Sequence, residues 1–138
     1  MKRILVVVDD RLVANATHAW LENRGFEVVT ADGGATGLSA PGGSAFDLLI
    51  VDLFMPHMRG FESIRIFHQH APMIPLIAIS GYVFAEQRMP APDFLRMALE
   101  LGATRCLRKP FTPATLLAVV DLCLSEAAAQ QESIAIAN

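Results

Sequence analysis

The sequence predicts an α/β domain built on a parallel sheet with helices on both faces. Three observations carry this. Unbroken β-branched and leucine runs, such as Ile4–Val8 and Leu48–Val51, read as strands buried on both sides. Helical apolar periods separate these runs, so strand and helix alternate five times along the chain, the order that right-handed crossovers require. Polar residues that could do chemistry fall at the C-terminal ends of the runs, where open α/β sheets place their ligands.

The elements follow in order. Ile4–Val8 is the first strand and ends in Asp9 and Asp10. Residues 11–24 follow helical spacing, with Leu12, Val13, Ala16, Trp20 and Leu21 on one face, and Gly25 stops the helix. Phe26–Thr30 is the second strand, Asp32–Ala40 a short helix weakened by its glycines, and Pro41-Gly42-Gly43 a loop. The third strand ends in Asp52, followed by Met55-Pro56, and Gly60–His70 is a helix. Ile74–Ser80 is the fourth strand, with Pro75 near its start, where proline is tolerated. A loop over Gly81–Pro92 leads to a helix over Asp93–Leu101, closed by Gly102. Thr104–Leu107 is the fifth strand and precedes Lys109-Pro110-Phe111. Thr112 caps the last helix and Pro113 takes its first position, with Leu116, Leu117, Val120 and Leu124 on the buried side. Residues 125–138 read as a helix end and tail.

Composition bounds the function. The chain has 138 residues, is 53% hydrophobic and 18% charged, and carries a net charge of −3, which fits one domain with a real core. No basic stripe offers a nucleic-acid or anionic-membrane surface. The apolar run at the start is five residues long and ends in two aspartates, too short for a signal peptide, and no run reaches transmembrane length. Cys106 and Cys123 lie in apolar stretches and read as buried free thiols, which together place the chain in the cytoplasm.

Chemistry gathers at the strand ends. Asp9, Asp10 and Asp52 would repel one another unless a cation joins them, and oxygen donors with open water positions suit Mg²⁺. A carboxylate nucleophile attacking phosphorus needs its charge offset, and a metal, the Lys109 ammonium and the Ser80 hydroxyl would supply that.

With Asp9-Asp10, Asp52 followed by Met55-Pro56, Gly60, Ser80-Gly81 and Lys109-Pro110-Phe111 in this order, the chain resembles the receiver domains of two-component response regulators over residues 2–124. The resemblance implies a flavodoxin-like doubly wound sheet of five parallel strands in the order 2-1-3-4-5 with five helices, and a receiver domain over residues 1–124 with no output domain after it. It implies that Asp52 accepts a phosphoryl group from a sensor histidine kinase or a histidine phosphotransfer protein. Asp10 and Asp52 would bind Mg²⁺ directly, Asp9 through water, and the Phe54 carbonyl would be a further ligand. Ser80 would hydrogen-bond a phosphoryl oxygen, Lys109 would pair with the phosphoryl group, and the Lys109–Pro110 bond would be cis. Such a chain is a phosphoacceptor with self-catalysed phosphorylation and dephosphorylation rather than an enzyme. Its output is contact with a downstream protein through the last strand and the helices beside it.

Two departures from the family pattern stand out. Cys106 occupies the place where receivers carry Tyr or Phe, so the usual ring rotation has no ring; as a residue, it reads as a small core side chain. The segment between Ser80 and Lys109 is long, and Tyr82 or Phe84 within it is a candidate substitute ring. Phe54 and Tyr82, each two residues beyond a site residue, predict slow loss of phosphate, slower than in Phe54→Asn.

Other signals read as ordinary. His68-Gln69-His70 lacks ligand partners at metal spacing, His57 is a loop histidine, His18 lies off the apolar face and Trp20 is a core residue. Three rivals remain. A haloacid-dehalogenase-type phosphatase needs Asp-x-Asp after the first strand, where this chain has Asp9-Asp10-Arg11. A flavodoxin-type flavin binder needs a first loop that welcomes phosphate, not two carboxylates. An unphosphorylated receiver-like adaptor keeps the fold without the chemistry.

Overall fold

The computed structural model describes residues 1–8, 10–31, 46–55, 58–80 and 91–137; for 54–55, 58–61, 91–95 and 133–137 it describes the backbone alone. The predicted helix over Asp32–Ala40 and the 41–43 loop lie outside these residues, as do Asp9, His57, Tyr82 and Phe84. The elements are β1 (Arg3–Val7), α1 (Arg11–Asn23), β2 (Glu27–Ala31), β3 (Leu48–Asp52), β4 (Phe54–Met55), β5 (Met58–Arg59), α2 (Gly60–His70), β6 (Leu76–Ser80), α3 (Ala91–Leu101), β7 (Arg105–Arg108) and α4 (Pro113–Ala137).

Five strands form one parallel sheet in the order β2-β1-β3-β6-β7, the predicted 2-1-3-4-5 once only the strands of this sheet are counted. The central strands β1, β3 and β6 are apolar on both faces because both faces are covered. Leu5, Val7, Leu49, Val51 and Ala78 pack with Ile64 and Phe67 of α2 and Ala98 of α3. Ile4, Val6, Ile50, Ile77 and Ile79 pack with Leu21 of α1 and Leu116, Val120 and Cys123 of α4. Alternate residues of each strand thus feed two separate cores.

The helix ends obey their local chemistry. Asp10 caps α1, its Oδ1 accepting from the amides of Leu12 at 2.9 Å and Val13 at 3.3 Å. Thr112 caps α4, its Oγ1 accepting from the Thr115 amide at 3.1 Å, ahead of Pro113. Gly25 closes α1 at φ +98°, where the Phe26 amide reaches the Leu21 carbonyl at 3.2 Å.

At four points the structure refines, adds to or changes the expectation. Leu12 does not join the buried face of α1 and is 82% exposed. Val13, Thr17 and Leu21 point inward at i, i+4 and i+8, so Leu12 is turned about 100° away, and Thr17 takes the central place that an apolar pattern passes over. Trp20 is half-buried at the margin of the core, its ring edge-on to Phe111 at 6.1 Å. A two-residue antiparallel pair, β4 with β5, follows Asp52, with Phe54 opposite Arg59. The last helix runs on to Ala137 in place of a tail; Ser125–Ala137 is rich in Ala, Gln and Glu, strong helix formers that need no amphipathic period.

Cys123 is fully buried on α4, and burial pushes its thiol up to about 11. The unfolded chain exposes an ordinary thiol near 8.5, so the unfolded state loses its proton first as pH rises. The stability tied to this thiol is complete below about pH 8.5 and is lost on the way to about 11. Denaturant unfolding of the wild type between about pH 9 and 11 should therefore show a steeper decline than Cys123→Ala, by on the order of 2 kcal/mol across the window. Parallel profiles would remove this contribution.

Candidate phosphoacceptor site

The site is made by strand ends. Asp52 is the last residue of β3, flanked by β1 and β6, with Ile79 of β6 as its register partner. It is 2% exposed, and a carboxylate so placed needs compensation. Lys109 supplies it, with Nζ 2.7 Å from Asp52 Oδ2. The lysine reaches across because β7 ends beside β6. Arg108 is in register with Ser80, and the Lys109 amide donates to the Ser80 carbonyl at 2.7 Å. The Lys109–Pro110 bond is cis.

Ser80 closes β6 and is 1% exposed. Its hydroxyl has no hydrogen-bond partner among the described residues, an uncommon state for a buried donor. An oxygen-bearing group seated beside Asp52 would supply one.

Asp10 lies at the same edge, three residues beyond Val7, which is in register with Val51. Its carboxylate caps α1, a role that the sequence reading did not assign. The amides of Leu12 and Val13 fix one of its oxygens. Phe54 follows Asp52 by two residues as the first residue of β4. The structure thus brings Asp52, Ser80 and Lys109 into one cluster and sets Asp10 and Phe54 at the same end of the sheet. Asp9 falls outside the described residues.

The donor chemistry fits Mg²⁺. Carboxylate and carbonyl oxygens gather at one edge, and the Lys109 ammonium shows that a cation is already favoured at Asp52. Among the described residues no three His, Cys, Asp or Glu side chains form such a group, and Asp9, the third aspartate of the set named from the sequence, lies outside them.

Cys106 sits on β7 opposite Ala78 and packs against the core beneath α3, half-buried, and burial raises its thiol above the ordinary value. A thiol so shifted is a poor nucleophile at neutral pH, in keeping with a packing role.

A doubly wound sheet with an Asp–Lys pair at the C-terminal ends of its strands is a receiver-type fold. Residues 4–121 match the response regulator receiver domain, and the chain belongs to that family. It is 33% identical over 122 residues to the probable transcriptional regulatory protein SilR of Salmonella typhimurium, covering 88% of this chain and 50% of that protein. The receiver domain protein (CheY-like) of Methanospirillum hungatei JF-1 superimposes with a TM-score of 0.83 at 29% identity, covering 94% of this chain and 98% of that one. Chemotaxis protein CheY4 of Vibrio cholerae gives a TM-score of 0.78 at 28% identity over 89% of this chain and 98% of that one. The chain spans about half the length of the curated relatives it matches.

Proposed function

We propose that this receiver takes a phosphoryl group on Asp52 from the phosphohistidine of a sensor histidine kinase or histidine phosphotransfer protein and signals by protein contact. The observation that carries the reading is the buried Asp52 carboxylate, held at 2.7 Å by Lys109 next to the unmatched Ser80 hydroxyl. A carboxylate oxygen of Asp52 attacks phosphorus, the P–N bond breaks with its electron pair returning to the imidazole, and an acyl phosphate forms. Lys109 balances the negative charge that arrives, and Ser80 donates to a phosphoryl oxygen. Mg²⁺, held by Asp9, Asp10, Asp52 and the Phe54 carbonyl, would offset charge between carboxylate and phosphoryl oxygens. The chain is then a phosphoacceptor that catalyses its own modification and its loss, with no other substrate.

The relatives favour a second form of output. SilR is named a transcriptional regulatory protein, and this chain covers half of it. In that reading the receiver is the input half of a regulator that acts on DNA through another part. The two free thiols fit a cytoplasmic setting for either form.

Intact mass after incubation with Mg²⁺ and acetyl phosphate tests the reading. A single phosphoryl adduct is expected, absent from Asp52→Asn and from samples with EDTA. An unmodified wild type would instead favour the unphosphorylated adaptor.

A further inference from the structure

The cations of this chain fall into two groups. Lys2, Arg3, Arg24, Arg65 and Arg105 each pair with a carboxylate, and Lys109 holds Asp52. The side chains of Arg11, Arg96 and Arg108 have no ion-pair or hydrogen-bond partner among the described residues. Arg11 and Arg96 stand on helices. Arg108 is the exposed last residue of β7, so the sheet itself fixes its place.

That place is beside the phosphoacceptor. Arg108 is in register with Ser80, and Leu107 before it is in register with Ile79, the partner of Asp52. Two strand spacings of about 4.8 Å separate β7 from β3. Lys109 crosses the same two spacings to reach Asp52 at 2.7 Å, and arginine is the longer side chain. Strand alternation puts the two cations on opposite faces. Cys106 packs against the core under α2 and α3, and Leu107 against the core under α1 and α4, so Arg108 returns to the α3 face. Asp52 follows Ile50 on the other face, where Lys109 meets it. The Lys109 ammonium is already engaged with this carboxylate, so a doubly negative group arriving at the edge has a second cation within reach.

We propose that Arg108 is a further phosphoryl-binding residue of this site, its guanidinium donating to oxygens of the incoming phosphoryl group from the α3 face. The inference rests on the reading of Asp52 as the phosphoacceptor. The planar fork of a guanidinium matches two phosphoryl oxygens at once, which an ammonium does not, and it stays protonated throughout. When an Asp52 oxygen attacks the phosphorus of an acyl phosphate, the bond from phosphorus to the leaving carboxylate oxygen breaks with its electron pair. Charge is then spread over the three remaining phosphoryl oxygens, where Arg108 and Lys109 hold it from opposite sides of the sheet edge.

The rate of phosphoryl uptake from acetyl phosphate with Mg²⁺, followed by intact mass, tests this. Arg108→Gln should take up the group about tenfold more slowly than the wild type, the loss of one charge-assisted hydrogen bond. Arg108→Lys keeps the charge without the fork and should fall between the two. Arg96→Gln removes an equal charge from α3 and should match the wild type. Arg108 is exposed, so unmodified Arg108→Gln should unfold in urea as the wild type does, which separates a binding role from a structural one. Equal uptake by the wild type and Arg108→Gln would overturn the proposal while leaving Asp52 as the acceptor. Equal slowing in Arg96→Gln and Arg108→Gln would also overturn it, because overall charge would then be the cause. A wild type that takes up no phosphoryl group would overturn the reading of Asp52, and this proposal with it.

Discussion

Lys109→Met is expected to destabilise the fold by about 3 kcal/mol, and to do so far more than Asp52→Asn. The asymmetry comes from burial. The Asp52 side chain is 3% exposed and that of Lys109 is 22% exposed, so the ammonium can turn to water when its partner is removed, whereas the carboxylate cannot. Taking the lysine away therefore leaves a desolvated charge without its cation, and taking the aspartate away leaves a cation that rehydrates. The double variant Asp52→Asn with Lys109→Met should recover most of the loss, because neither charge then needs the other. Urea denaturation of the four proteins checks this. Equal destabilisation in the two single variants would mean that the pair is better solvated than its geometry implies. Mg²⁺ should raise the unfolding temperature of the wild type and of Lys109→Met, while Asp52→Asn should respond least, since a ligand that binds only the folded state stabilises it.

The same strand ends explain how much of the site was legible in the sequence. A central parallel strand has to be apolar on both faces, so Leu48–Val51 could be read directly and the carboxylate that ends the run marked its edge. Ser80 was readable for the same reason, closing a fully buried run, whereas Lys109 follows an edge strand with only Leu107 buried and was marked by the Lys109-Pro110-Phe111 sequence instead. Periodicity served less well where one polar residue occupies an apolar stripe. Thr17 sits at the centre of the inward face of α1, and without it as a marker the face is drawn too far toward Leu12. The long α4 escaped because its final turns have little amphipathic signal and rest on the propensity of alanine and glutamine. Nothing in Asp10 distinguishes a metal ligand from a helix cap; its position at the start of α1 makes it a cap, and its place at the sheet edge leaves it near Asp52.

Gly102→Ala carries the second large effect, because the backbone and the surroundings both resist a side chain there. Gly102 ends α3 at φ +123°, and a Cβ built on it would come within 2.4 Å of the His68 ring. Gly25 offers the control: its φ is +98°, but nothing lies within 4 Å of a Cβ at that site. Gly25→Ala should cost about 1 kcal/mol from conformation alone. Gly102→Ala should cost roughly 3 kcal/mol, with strain and clash together. The His68 ring and the His68 Cβ both crowd the added carbon, and alanine keeps that Cβ, so His68→Ala should return only the ring part of the clash and the double variant should fall between Gly102→Ala and Gly25→Ala. The consequence reaches the site through the chain. The Ala103 amide bonds to the Ala98 carbonyl at 2.9 Å, and the Thr104 amide bonds to the Leu76 carbonyl at 2.7 Å, so this turn sets the register in which β7 meets β6. That register delivers Lys109 to Asp52. A Gly102→Ala protein that still folds should therefore take up phosphoryl groups from acetyl phosphate more slowly than Gly25→Ala, which is remote from β7. Equal uptake at unequal stability would show that β7 keeps its register without the turn that precedes it.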